Sequence, residues 1–329
     1  MRNIDKLPLQ VVMASDENYL HLVAVVLTSL FVTNNSEKIH VHLLSNSISE
    51  AKLYEVRLLV ESYGGMLNVY PINNLNERLS VKVPQTIALT SYARLFIPSI
   101  LPGNLDKVLY IDCDIIFNGD IRNLFDIDLK EALVGGVLDP LISCTYKKEI
   151  KIPVSEPYIN AGVLLIPLNQ WRSERMEQKF VDYLVTNRGK VHHHDQGIIN
   201  ALCAGRKKVL PPQFNVMSNC LCYPWKSLGQ INRPFYQESE YSYAIKNPSI
   251  LHFTGAILGR PWVEGCTHPH KEKYVEYKSK TIYRNMPLKA AKVSIIDKVG
   301  RWLYRNLPFR VYQIYMQTVY GMSYIKHRL

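Results

Sequence analysis

Apolar positions along this chain recur at two periods, and the order in which the periods follow one another points to a fold class. Residues 9–14 (LQVVMA) form a short strand-like run; Ser15-Asp16-Glu17-Asn18-Tyr19 follows, then Leu22, Val23, Val26, Leu27, Leu30 and Phe31 at helical spacing. Residues 39–45 alternate as a second strand. Ser47-Ile48-Ser49-Glu50 reads as a capping box ahead of a helix carrying Leu53, Val56, Leu59, Val60 and Tyr63, which Gly64-Gly65 closes. Further strands are predicted at residues 67–72, 107–112, 133–138, 158–166 and 249–253, with helices at 90–95, around 171–187, and from Asp195-Gln196 through Ile198, Ile199 and Leu202. The β-α-β-α order predicts an α/β fold with a mostly parallel sheet and helices on both faces.

The stretch at residues 107–119, KVLYIDCDIIFNG, carries the strongest candidate chemistry. On a strand, Val108, Tyr110 and Asp112 share one face, and Asp114 falls where the chain should leave the sheet. Two carboxylates at the carboxyl end of a buried strand need an offsetting charge, and in open α/β sheets that end is where ligands bind. Mg²⁺ or Mn²⁺, shared with a substrate diphosphate, suits carboxylate oxygens, so Asp112-Cys113-Asp114 reads as a metal-diphosphate clamp. Two alternatives stand beside it. Such residues also cap turns, and Asn118-Gly119-Asp120 is a turn signal. A phosphohydrolase of the haloacid dehalogenase type would instead use Asp112 as a covalent phosphoryl acceptor, although that pattern usually opens its domain.

Other polar positions carry weaker signals. No G-x-G-x-x-G follows the first strand, so Asp16 and Asn18 would read a base or ribose by hydrogen bonds, or else cap the next helix. Arg94 lies on a helical stretch shortly before the clamp. Residues 142–156, with three Lys and one Pro, read as a mobile surface loop or lid. Residues 158–166 form a strand entered through small residues, which let a ligand approach the backbone. Three consecutive His at 192–194 cannot all face one metal, and Asp195 is equally an N-cap. His252 ends the last strand, as either a ligand or a satisfied core residue. Gly255 and Gly259 would open backbone amides to a phosphate, with Arg260 adding a fixed charge.

Composition qualifies this picture at one end. With 329 residues and 47% hydrophobic content, the chain can hold one large α/β domain with an appendage, or two domains. The opening MRNIDKLPLQ has no apolar signal core, and the most apolar helical stretch, residues 19–32, is too short to span a bilayer. The expectation is a soluble cytoplasmic protein; six scattered Cys without a C-x-x-C pair fit reduced thiols. Net charge is +11, of which residues 271–329 hold +10 (thirteen Lys or Arg against three acids). A catalytic domain over 1–270 and a basic C-terminal region over 271–329 are therefore expected. In that region Val293, Ile296, Val299, Trp302, Leu303, Leu307, Val311, Ile314 and Tyr315 stand among Lys292, Lys298, Arg301, Arg305 and Arg310, with Pro308 dividing two helical pieces. Basic residues beside Trp, Tyr and Leu suit a helix in the interface of an anionic membrane. No nucleic-acid-binding motif accompanies the charge, so nucleic acid is not an expected partner.

The ordered series A-S-D-E-N-Y, T-S-Y-A-R-L, K-V-L-Y-I-D-C-D, N-A-G-V-L-L-I, H-D-Q-G-I-I-N and H-F-T-G with a downstream basic residue and P-W, over residues 11–262, resembles the retaining glycosyltransferases of family 8. That family includes bacterial lipopolysaccharide galactosyl- and glucosyltransferases and glycogenin. The resemblance implies a GT-A fold, Rossmann-like, using a UDP-hexose (UDP-galactose or UDP-glucose) and Mn²⁺ or Mg²⁺. It implies that Asp112, Asp114 and His252 ligate the metal and that Ala14, Asp16 and Asn18 hold uridine. Arg94, Asn160, Asp195 and Gln196 would surround the donor sugar, with Gln196 at the reacting face and Asp139 on the acceptor side. Gly255 and Arg260 would grip the diphosphate, Arg260 replacing the family's usual Lys after a longer spacer. A lipid-linked saccharide acceptor, as in lipopolysaccharide, would place the enzyme at the inner face of the cell membrane, peripherally bound. A non-catalytic glycan- or membrane-binding protein is the remaining alternative.

Overall fold

The computed structural model describes residues 7–72, 74–83, 89–255, 257–291, 294–312, 314, 315, 318 and 319. Ten strands are found among them: β1 (Leu9–Asp16), β2 (Ile39–Asn46), β3 (Met66–Pro71), β4 (Lys107–Ile111), β5 (Ile115–Phe117), β6 (Val134–Leu138), β7 (Ile159–Pro167), β8 (Lys207–Val209), β9 (Val216–Met217) and β10 (Ile250–His252). Seven make one sheet in the order β3-β2-β1-β4-β7-β6-β8, and β5, β10 and β9 make a second. In the large sheet β1, β2, β3 and β4 run parallel, as do β6 and β8, while β7 runs antiparallel between β4 and β6. The expected mostly parallel α/β fold is present, with one reversed strand that sequence order did not announce.

The apolar helix Leu20–Thr33 is buried from Leu20 through Phe31. It packs against β5, the helix Glu50–Ser62 and the helix Lys271–Ser279, which explains why it is hydrophobic all round. No helix of the described residues is long and apolar enough to cross a membrane.

The strand expected to leave the sheet at Asp114 does end just before it, and the rest of the stretch 107–119 holds a second strand, which was not expected, in the second sheet. β4 ends at Ile111, Asp112-Cys113-Asp114 forms the link, and β5 joins the smaller sheet. The link is tied on both sides, since Asp112 N–H donates to Gly162 O on β7 and Phe253 N–H, just past β10, donates to Asp114 O, each at 2.8 Å. The two carboxylates therefore sit where both sheets meet.

Four local expectations need correction. Ser47 does not cap a helix: it holds φ +54, Ser49 precedes the helix Glu50–Ser62 without a side-chain cap, and Ser49 N–H is taken by Glu17 Oε2 at 2.9 Å. Residues 90–95 lie in a 3₁₀ helix, Leu89–Phe96. The helix expected around 171–187 is two helices, Leu168–Ser173 and Met176–Thr186, broken at Arg175 with φ +52. Residues 142–156 are a packed unit, not a lid. They contain the helix Cys144–Glu149, and Ile142, Tyr146, Ile150 and Ile152 form an apolar cluster with Tyr158. Lys147 is fully buried, its ammonium donating to the carbonyls of Val154, Glu156 and Arg233.

At the C-terminal end, Tyr274 and Tyr277 of the helix Lys271–Ser279 share an apolar cluster with Leu251, Phe253 and Trp262. A second helix, Ile295–Asn306, follows, and helical structure resumes at residue 309 beyond Pro308, as expected. Phe309 and Tyr312 dock on Tyr223, with ring centroids 5.2 and 5.9 Å away. Lys292, Val293 and the residues from 320 onward lie outside the described residues.

Candidate active site

β4 carries Tyr110 and Asp112 on one face, as the alternation predicted, and Tyr110 OH donates to Asp112 Oδ1 at 3.2 Å. Arg94 reaches the same oxygen from the 3₁₀ helix Leu89–Phe96, Nη2 donating at 2.7 Å. With Oδ1 held by two donors, Oδ2 is left toward His252 and Asp114. Arg94 is buried, stacks 4.4 Å above the Tyr110 ring, donates through Nη1 to Ala161 O at 2.6 Å, and pairs through Nε with Asp195 Oδ2 at 3.0 Å. Burial disfavours its charge, but Asp112 and Asp195 outweigh that and hold its pKa above the ordinary arginine value. Asp195, in the first turn of the helix His194–Leu202, is pushed up to about 6 because burial outweighs the opposing pull of Arg94.

His252 is buried at the end of β10, with Nε2 3.0 Å from Asp114 Oδ1 and Nδ1 2.9 Å from Asn215 Oδ1. Asn215 Nδ2 donates to Asn160 Oδ1 at 2.9 Å, which fixes the Asn215 oxygen toward the imidazole. His252 Nδ1 is thereby the donor, and Nε2 is the nitrogen that can present a lone pair. Asn160 Nδ2 donates in turn to Asp139 Oδ2 at 3.2 Å and to Gln196 Oε1 at 3.1 Å. Gln196 Nε2 donates to Asp139 Oδ2 at 3.1 Å, and Ala161 N–H donates to Gln196 Oε1 at 3.0 Å. Burial opposes the charges of Asp114 and His252, yet each sustains the other's: the Asp114 carboxyl is lowered and the His252 imidazole raised.

The three groups fit a cation. One ligand atom each from Asp112, Asp114 and His252 lies within 4.8 Å of the others, and two carboxylates with an imidazole suit a divalent cation. Asp112 and Asp114 line a cavity of about 600 Å³. Of the residues singled out in the sequence, Ala14, Asp16, Arg94, Asp112, Asp114, Asn160, Asp195, Gln196 and Arg260 line it. Asn18, Asp139, His252 and Gly255 stand behind or beside that wall. Asn18 N–H donates to Asp16 Oδ1 at 2.9 Å, so Asp16 does cap the short turn Glu17–Tyr19 while facing the cavity. Gly255 holds φ +89 beside the Arg260 side chain, and Arg260 Nη2 is 3.8 Å from Asp114 Oδ2. Sequence reasoning passed over Tyr110 as a carboxylate donor, Asn215, and Lys289, which lines the cavity from the C-terminal region.

The fold and the site define an α/β protein with a carboxylate and imidazole cluster beside a cavity, and comparison with known proteins supplies the family. The model of Glycosyl transferase family 8 matches residues 10–266, and the chain belongs to that family. The lipopolysaccharide 1,2-glucosyltransferase of Escherichia coli K12 is 26% identical over 272 residues, covering 81% of this chain and 76% of that protein. A Haemophilus influenzae protein assigned to the glycosyltransferases is 28% identical over 210 residues, a match spanning 63% of each chain and so less than two thirds of that relative. The crystal structure of the galactosyltransferase LgtC with donor and acceptor sugar analogues superposes with a TM-score of 0.72 at 24% identity, covering 84% of this chain and 99% of that one; this likeness shows the GT-A fold. Family membership displaces the dehalogenase-type reading of Asp112.

Proposed function

We propose that this chain is a divalent-metal-dependent retaining hexosyltransferase that moves galactose or glucose from a UDP-sugar to a hydroxyl of a lipid-linked saccharide in surface-glycan synthesis. The observation that carries the proposal is the convergence of Asp112, Asp114 and His252 beside a cavity whose lining also holds Arg94, Asp195 and Gln196. The glucosyl and galactosyl activities of the relatives named for lipopolysaccharide synthesis support the substrate class.

In transfer, the bond between the anomeric carbon and the diphosphate oxygen breaks, the acceptor oxygen bonds to that carbon, and the acceptor's proton passes to the departing diphosphate. A cation bound at the three ligands would neutralise charge developing on that diphosphate. Arg260, on the rim beside Asp114, would add a charge-assisted contact to it. Arg94 orients Asp112 and Asp195 at once. Gln196, with its amide oxygen already accepting from Ala161 and Asn160, is a poor nucleophile. Same-face attack by the acceptor hydroxyl is therefore the favoured route to retention, with Asp195 as an alternative nucleophile.

The C-terminal region supports attachment to an anionic membrane. At 100° per residue, Ile295, Ile296, Val299 and Trp302 of the helix Ile295–Asn306 share one side, and all are exposed. Leu303, which falls on that same side between Val299 and Ile296, and Tyr304 are partly buried against the core, while Lys298, Arg301 and Arg305 border the exposed apolar residues. In the full-length chain, Ile295→Glu with Trp302→Glu should abolish co-sedimentation with vesicles of anionic lipid. Wild-type binding should weaken with salt and be absent on neutral vesicles; salt-insensitive binding, or none, would make this face something else.

The catalytic proposal is tested by incubating the protein with a panel of sugar nucleotides, Mn²⁺ and lipid-linked saccharides. UDP release coupled to an α-linked product is expected. UDP binding without turnover for any acceptor would instead support a glycan-binding role.

A further inference from the structure

We infer that Lys289, which lies beyond the residues matched by the family model, is a donor-binding residue supplied to the site by the C-terminal region, its ammonium taking a phosphate of the bound nucleoside diphosphate. The inference rests on the UDP-sugar reading of the cavity. Lys289 lines that cavity together with Asp16, Tyr19, Arg260 and Trp262, and its Nζ sits 5.6 Å from the centroid of the half-exposed Tyr19 ring. The backbone that places it is built in rather than draped. Lys289 N–H donates to Trp262 O at 2.8 Å, and Lys289 O accepts from Glu264 N–H at 3.0 Å, a bridge formed immediately after Arg260. Six residues earlier Tyr283 packs edge-on against His21, and its hydroxyl donates to Glu55 Oε2 at 3.3 Å. The segment is thus pinned to the body at both ends, with Lys289 held over the mouth.

Its charge has no carboxylate partner among the described ion pairs and rests against an aromatic face. A resting contact of that kind exchanges readily for a phosphate oxygen, which binds a lysine as a point charge. Arg260 serves the same wall and stands beside Asp114, so the two cations would take the diphosphate from neighbouring positions.

The test compares UDP and uridine as ligands of the full-length protein in the presence of Mn²⁺, using wild type, Lys289→Met and Lys289→Arg. Wild type must bind UDP; if it does not, the UDP-sugar reading itself fails. Given that binding, Lys289→Met should weaken UDP by roughly tenfold, about the 1.4 kcal/mol of one charged contact, and reduce the salt dependence of its affinity. Uridine affinity should stay unchanged, and Lys289→Arg should restore most of the loss. UDP binding unaltered in Lys289→Met, or an equal loss for UDP and uridine, would overturn the assignment and leave Lys289 as a packing partner of Tyr19.

Discussion

Gly162 lies directly against His252: a methyl group on residue 162 would sit 2.9 Å from His252 Nδ1 and 2.9 Å from Asp112 Oδ2. Small residues at the entry to this strand were expected to let a ligand approach the backbone. Ala161 and Gly162 do line the cavity, and Gly162 also lets two of the metal-binding side chains approach the backbone. Gly162→Ala should therefore leave the fold intact but displace the imidazole, weakening Mn²⁺ binding by at least about tenfold, since supporting contacts of metal ligands carry that much. Metal titration followed by calorimetry checks this; unchanged affinity would mean the pocket gives way easily.

Asn215 acts on the metal site only through His252. Asn215→Ala should lower metal affinity by about 10- to 100-fold by freeing the ring to turn, with donor affinity in the absence of metal little changed. A structural role alone predicts lower melting temperature with metal affinity retained. The two readouts separate these outcomes.

The pH dependence of stability follows from three other histidines. His21, His42 and His268 are each lowered from 6.5 to about 4, chiefly by burial. The unfolded chain binds these protons more readily, so the stability they contribute is full above pH 6.5 and is lost as pH falls toward 4. By pH 5 each withdraws on the order of 2 kcal/mol. Melting temperature should fall clearly between pH 7.5 and 5. His42→Gln, at the ring held by Gln10 and Tyr70, should flatten that fall.

The longer strands, the carboxylate pair and most of the cavity wall were legible in the sequence because each is written in a local run of residues. What joins them is not local. Asp114 and His252 are 138 residues apart, and only the pairing of β5 with β10 brings them within 3.0 Å. The exit from the first sheet at Asp114 was legible, but the entry of Ile115–Phe117 into a second sheet was not, because three apolar residues do not show which strand they pair with. Asn215 looked like any loop amide, and its role depends on two buried partners. Residues 142–156 misled through composition: their lysines suggested solvent, yet Lys147 is buried with three carbonyls around its ammonium.

The central claim is that Asp112, Asp114 and His252 hold one divalent cation through which the donor diphosphate is bound, so metal and nucleotide must bind cooperatively. Titrating UDP into wild type and into Asp112→Ala, Asp114→Ala and His252→Ala, each with and without Mn²⁺, measures this directly. The account predicts a large gain in UDP affinity with Mn²⁺ in wild type and loss of that gain in all three folded variants. Equal UDP affinity with and without Mn²⁺ in wild type, or a full Mn²⁺ effect surviving in His252→Ala, would contradict it.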